Sequence, residues 1–203
     1  MKKSIFIISL CVLTLCFFAG RPDGEDGKLH VYGIAFYNVE NLFDTLHDVG
    51  KNDYEYLPDG ANKWGSLKYT NKLKNIAKVL SKLGTEINQK NGFTQVCKSP
   101  AIIGLSEVEN RKVLEDLLKE PELADKGWEI IHVEGPDKRG VDCAFLYDPT
   151  QFHLENYHLT RFIYENGDTV RQTRGFLLAS GTIAGEKMHF IVNHWPSRAA
   201  VSE

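Results

Sequence analysis

Three apolar runs in this 203-residue chain end on side chains that can do chemistry. The alternating run from Leu29 to Tyr37 delivers Asn38, within Asn38-Val39-Glu40-Asn41-Leu42-Phe43. The run from Ala101 to Ser106 delivers Glu107, within Glu107-Val108-Glu109-Asn110. The run through Phe190-Ile191-Val192 delivers Asn193 and His194, followed by Trp195-Pro196-Ser197-Arg198. Side chains at the ends of core strands sit on a rigid platform, and polar groups there must be paired, solvated or bound to something. A carboxylate and an amide oxygen meeting at such ends suit a hard divalent cation. Magnesium takes oxygen ligands, keeps several waters and often uses one or two carboxylates beside a substrate phosphate. A neighbouring imidazole can donate to a phosphoryl oxygen or stabilise charge developing on it. Arg139, Arg174 and Arg198 lie in loops or at strand edges, and the planar guanidinium fork suits phosphate oxygens. Taken singly, each residue has an ordinary alternative. Glu107 can be a strand-end surface acid, Asn38 a turn former, His194 a structural histidine, Arg139-Gly140 a hairpin tip and Trp195-Pro196 a core plug before a turn.

The elements that must position these groups follow from periodicity. On the first strand, His30, Tyr32, Ile34 and Phe36 share one face, and the small residues Gly33 and Ala35 lie on the other with Val31. Residues 44–66 are rich in Asp, Asn and Gly and read as a long loop, whose Tyr54, Tyr56, Lys63 and Trp64 either stack bases or simply pack. Leu73, Ile76, Ala77, Leu80 and Leu83 recur at helical spacing, so a helix spans roughly 70–83, with Thr70 as its cap, Gly84 at its end and Lys74, Lys78 and Lys82 on its wet face. A second short helix runs from Asn110 to Leu118 and is stopped by Pro121. Further strands are expected at 101–106, 128–133, 142–147, 152–160, 176–183 and 187–193, the last two joined by a hairpin at Ala184-Gly185-Glu186. The order is neither strict βαβ alternation nor all-β, so mixed α and β layers are expected.

Composition narrows the function classes. With 42% hydrophobic and 25% charged residues the chain is ordinary globular material, not disordered, collagen-like or coiled-coil. Its net charge of -3 argues against non-specific nucleic-acid binding through bulk charge, so a phosphate ligand must be held by a local site. Met1 to Gly20 has a Lys2-Lys3 head, an apolar stretch from Ile5 to Phe18 and small residues after it, the pattern of a secretory signal. An uncleaved anchor or a buried strand is the alternative. The organisation read is a signal segment 1–20, a polar linker 21–28 and a domain from 29 to 203, with export as the expected location. Membrane attachment enters only if Cys16 is lipidated, for which Leu15 is too large to fit a good processing box. Cys97 and Cys143 can form one disulfide in an oxidising compartment, though Cys143 in its apolar run reads as a small buried hydrophobe.

Taken together, the blocks resemble the endonuclease/exonuclease/phosphatase superfamily. The resemblance rests on Phe36-Tyr37-Asn38-Val39-Glu40-Asn41-Leu42-Phe43, on Glu107-Val108-Glu109-Asn110, on Arg139-Gly140-Val141-Asp142-Cys143-Ala144-Phe145-Leu146-Tyr147, and on Val192 to Arg198. It implies an α/β four-layer sandwich of two mixed sheets flanked by helices, incomplete in this chain. It also implies magnesium or manganese as cofactor and in-line attack of water on a phosphoester, with nucleic acid among the possible substrates; no protein partner is implied. By position, Glu107 corresponds to the metal carboxylate, Asn38 to its partner at the metal and phosphate, and His194 to the group on the scissile phosphate. Arg139, Arg174, Asn193 and Arg198 become phosphate contacts, while Asp142 has no assigned role. The family's later Gly-Asp-x-Asn block and its closing Asp-His pair do not occur. The only Gly-Asp step, Gly167-Asp168, is followed by Thr169-Val170 and precedes the His194 block. These residues alone are therefore expected to be inactive or nearly so, with apolar faces of the second sheet lacking partners. A phosphate-binding module without catalysis, or an enzyme acting on lipid or small phosphoesters, is the competing reading.

Overall fold

The computed structural model describes residues 32–84, 99–161, 163–166, 169–172 and 174–195. The expected signal segment and linker, Cys97, Gly167-Asp168 and Arg198 lie outside the described residues.

Four strands make the first sheet: β1 (Gly33–Leu42), β2 (Pro100–Val108), β3 (Glu129–His132) and β4 (Asp142–Tyr147). Their order is β1-β2-β4-β3, with β1 and β2 parallel and the other pairs antiparallel. Helices α1 (Ser66–Leu80) and α2 (Arg111–Leu117) contribute Leu73, Ile76, Ala77 and Leu80, and Val113, Leu114 and Leu117, to a core with one face of this sheet. Burying each large aliphatic side chain here contributes roughly 1.5–3 kcal/mol. That outweighs the weak start of α1, whose N-cap is Gly65 with no side-chain cap bond. The helix begins four residues before Thr70, because Tyr69 already packs against the core one turn ahead of Leu73. Asn110 caps α2 by accepting from the backbone N–H of Val113 at 3.1 Å.

The second sheet comprises β5 (His153–Thr160), β8 (Phe176–Ile183) and β9 (Glu186–Asn193), antiparallel in the order β5-β8-β9. Its inner face joins a second core with the first sheet's other face, through Ile102, Phe145, Tyr147, Leu177, Ala179 and Val192. Strand β4 is buried on both sides: Cys143, Phe145 and Tyr147 face the second sheet while Ala144 and Leu146 face the helices. Such a strand must be a continuous apolar run, as its sequence is. Gly104 lets the sheets close up, since a Cβ there would come within 3.2 Å of Phe36 and 3.4 Å of Val192. Helices, mixed sheet and second sheet are thus three layers of an α/β sandwich. The far side of the second sheet shows Ile191 to solvent, while Tyr157, level with Ala179 on the edge strand β5, is about half exposed. Between β5 and β8 lies a short ribbon, β6 (Ile163–Asn166) paired with β7 (Thr169–Gln172), which the sequence pattern had not indicated.

Candidate active site

The platform residues come together because two neighbouring strands bulge at the same level. Between Ser106 and Val108, β2 carries one extra residue against β4, and that residue is Glu107 with φ +65°. Between Asn38 and Leu42, β1 slips against β2 while Glu40 and Asn41 take φ of +55° and +59°. Non-glycine residues in the left-handed region carry strain of about 1 kcal/mol or more, and such strain concentrates at functional sites. The bulges shift the phase of the pleat. Val39 and Leu42, and likewise Leu105 and Val108, all reach the helix-side core, which frees Asn38 and Glu107 to meet at the strand ends.

Asn38 Nδ2 donates to Glu107 Oε1 at 2.9 Å, and Asn38 Oδ1 accepts from the Glu40 N–H at 2.7 Å. The second bond determines the first: the backbone donor requires the amide oxygen, so the amide nitrogen must face the carboxylate. His194 Nε2 lies 3.3 Å from the same Oε1. On its other side, Arg174 Nη1 lies 2.8 Å from His194 Nδ1. A guanidinium has no acceptor, so Nδ1 must be the bare nitrogen and Nε2 must carry the hydrogen facing Glu107. Burial pushes the His194 pKa below the usual histidine value, and the Arg174 charge adds to the shift, against the opposing pull of Glu107. Arg174 is in turn held by Asp137, from Nε to Oδ2 at 2.9 Å. Gly175 makes this placement possible: its φ is +76°, and a Cβ there would lie 2.4 Å from the Thr160 carbonyl oxygen.

Asp137 also accepts the Arg139 N–H at 2.9 Å, within a turn closed from the Gly140 N–H to the Asp137 carbonyl. Arg139 is nearly half exposed and lines a cavity of about 490 Å³ with Asn52, Tyr54, Glu55, Gly60 and Ala61. Thus Asn38, Glu107, His194, Arg174, Asp137 and Arg139 form one chain of contacts. Asn193 ends β9 opposite Phe176 and makes no bond to this chain among the described residues. Trp195 is exposed, edge-on to Phe176 at 5.8 Å, and is not the core plug its position suggested. In the 44–66 loop, Tyr56 is stacked on Phe43 and Trp64 donates to the Phe43 carbonyl, so both pack. Tyr54 alone of the three aromatics stays largely exposed, stacked on His47.

Sequence reasoning passed over two acids. Asp137 stands two residues before Arg139 in a loop, and only the turn shows that it clamps two arginines. Glu109 is fully buried and accepts the Asp44 N–H at 2.7 Å. Burial, with the charges of Asp44, Asp48 and Asp53, pushes its carboxyl up to about 8. Cys143 is a free, buried thiol pushed up to about 12 by burial, as its apolar surroundings implied.

The donor set fits a hard divalent ion at Glu107. The carboxylate is oriented by two neighbours through one oxygen and retains some solvent exposure, which suits an ion that keeps most of its waters. Asn38 holds the carboxylate through its amide nitrogen, and its oxygen is already engaged by the Glu40 N–H.

Comparison with known proteins agrees with this picture at the level of family. A family model described as Endonuclease/Exonuclease/phosphatase family matches residues 33–203. No curated protein sequence matches. Among solved structures, the chain is similar to D. rerio TDP2 complexed with single-strand DNA product, at 17% identity over 45% of this chain and 32% of that one, with a TM-score of 0.32. It is also similar to ANGEL2, a 2′,3′-cyclic phosphatase, at 16% identity over 75% of this chain and 37% of that one, with a TM-score of 0.38. The chain spans about a third of the length of these two structures.

Proposed function

Because the chain belongs to the endonuclease/exonuclease/phosphatase family, we propose that it carries the metal and phosphate platform of a hydrolase acting on phosphodiesters, nucleic acid among them. The observation that supports this most directly is the Asn38–Glu107–His194–Arg174 chain at the strand ends. Glu107 would hold magnesium or manganese, which supplies Lewis-acid polarisation of a phosphoryl oxygen when bound. Asn38 keeps the Glu107 carboxylate in one orientation. His194, neutral and with its hydrogen on Nε2, is a donor positioned for a phosphoryl oxygen beside Glu107. Arg174 locks that tautomer and adds positive charge behind it, while Arg139 offers a half-exposed fork at the rim. These groups bind and polarise a phosphoester, but none of them is placed as a base for the attacking water. Turnover by the 203 residues alone is therefore expected to be at least about 10³-fold below that of a chain carrying a Gly-Asp-x-Asn block.

The test begins with sequencing the gene past codon 203. A downstream frame encoding Gly-Asp-x-Asn and a late Asp-His, whose product hydrolyses bis(p-nitrophenyl) phosphate or DNA only with magnesium or manganese, supports the reading. Manganese binding by the 203-residue chain, abolished by Glu107→Gln, supports the metal assignment separately. Phosphate binding without turnover by the longest encoded chain would move the protein to the binding-module reading. Metal-independent hydrolysis would overturn the proposal.

A further inference from the structure

The end of β3 and the start of β4 bring together three side chains that the phosphate platform does not use. His132 closes β3, Asp142 opens β4, and Glu134 stands in the loop between them. His132 and Asp142 are almost completely buried, with side-chain exposures of 3% and 2%. His132 Nε2 and Asp142 Oδ2 face each other at 3.4 Å, yet neither has a hydrogen-bond partner among the described residues. Asp142 is held in place by its other oxygen, which accepts the Gly135 N–H at 3.0 Å. Glu134 is about half exposed and approaches the same imidazole, with its Oε1 4.0 Å from Nδ1. One ligand atom from each of the three side chains lies within 4.8 Å of the other two.

Two orphaned atoms aimed at each other in a buried space normally cost about 1–3 kcal/mol each. A shared ion removes that cost. Metal–nitrogen and metal–oxygen bonds of about 2.0–2.2 Å in a tetrahedron put neighbouring ligand atoms about 3.3–3.6 Å apart. The His132–Asp142 separation already has that value, so an ion fits between them without movement of the strands. Glu134 now faces the other ring nitrogen, Nδ1, and is the exposed, adjustable third ligand that swings to the ion, leaving the fourth position to water. An imidazole with two carboxylates selects zinc-like transition ions over magnesium, which prefers an all-oxygen shell.

We propose that His132, Glu134 and Asp142 form a binding site for a divalent transition ion of the zinc class, separate from the Glu107 platform. The site pins both ends of the 133–141 loop. That loop also carries Asp137, the clamp on Arg174, and is tied to the neighbouring loop by Lys51 Nζ, which donates to the Gly135 and Asp137 carbonyls at 3.1 and 3.3 Å. Lys51 lies 3.8 Å from Glu134 and gives up that contact when the carboxylate turns to the ion. The inference does not depend on the hydrolytic reading.

The experiment is a zinc titration of the untagged, chelator-stripped 203-residue chain by calorimetry with magnesium in excess, repeated with cobalt read by visible absorption. One ion per chain, with the intense visible bands of four-coordinate cobalt, is expected. Glu134→Ala, a change at an exposed side chain, should weaken zinc by at least about tenfold, and His132→Gln should weaken it further. Glu107→Gln should leave it unchanged. The proposal is overturned if the wild-type chain takes up no zinc, if Glu134→Ala and His132→Gln both bind as wild type, or if Glu107→Gln abolishes binding. In the first two cases His132 and Asp142 form only a buried polar contact; in the third the ion belongs to the platform.

Discussion

Glu107 and Glu109 stand two residues apart at the end of β2, with the same side chain and opposite uses. Glu107 sits on a bulge at a left-handed φ, and its carboxylate faces an amide, an imidazole and solvent. Glu109 is buried behind the platform, faces Asp44, Asp48 and Asp53, and holds the backbone of the loop that follows β1. The first environment keeps a carboxylate available to a cation. The second favours a neutral carboxyl that anchors the chain. Residue type and spacing do not separate them; the neighbours supplied by other elements do.

The largest effect should come from exchanging the charge of the first glutamate. In any chain length that turns over, Glu107→Gln should lower metal-dependent hydrolysis by about 10³-fold or more, because several kcal/mol of metal-assisted stabilisation is lost. Glu109→Gln should keep activity within severalfold, since an amide oxygen can still accept the Asp44 N–H. Equal loss in both variants, measured as kcat/KM, would erase the distinction.

Next comes the tautomer lock. Arg174→Met removes the donor to His194 Nδ1 and leaves Asp137 Oδ2 without its partner, and should cost about 10²-fold in hydrolysis. It should also raise the His194 pKa toward the ordinary histidine value, because a positive neighbour has gone while Glu107 stays. The pH dependence of the His194 Cε1–H chemical shift reads this directly, and an unchanged or lowered midpoint would break the assignment. In the wild type the depressed pKa means that His194 contributes stability at pH above the ordinary histidine value, and that this is lost as the pH falls through the lower folded-state value.

Glu109 has the opposite sign. Its folded pKa is raised to about 8, so its contribution is fully present below the ordinary glutamate value of 4.5 and is lost as the pH rises through about 8. Glu109→Gln should therefore flatten the alkaline side of the stability profile and make the variant more stable than wild type at pH 9, by on the order of 2 kcal/mol. Denaturant melts at pH 6 and pH 9 check it; parallel losses in both proteins would mean the carboxyl is ionised in the fold. Smallest of all, Tyr54→Ala at the exposed cavity rim should change stability by no more than about 0.5 kcal/mol, whatever it does to substrate affinity.

Much of the frame was legible from residue order. The strand ends at Asn38, Glu107 and His194 could be picked out because an apolar run that stops on a polar side chain is a local pattern, and Arg139 and Arg174 because each stands beside such runs. The hairpin at Ala184-Gly185 was visible for the same reason, and both residues take the positive φ that a tight two-residue turn needs. The start of α1 was misplaced because Thr70 is a good cap by type, whereas Tyr69 and the core decide where the helix begins. Trp195 was read as a plug because a large aromatic usually is one, yet the place it comes to rest leaves it exposed.

The sequence by itself determined that β2 and β4 are continuous apolar runs buried on both sides, which residues end the strands and the family to which their order belongs, since these depend on periodicity and composition within short windows. Strands β1 and β9, also apolar runs, instead each keep a face partly exposed. Only the tertiary structure decided that β1 and β2 bulge together, that Asp137 reaches across to Arg174, that Glu109 lies among three other acids and that His132 faces Asp142. Each of these depends on pairing register or on contacts between residues far apart in the chain, and a one-residue shift in register would turn the strand side chains among them to the opposite face.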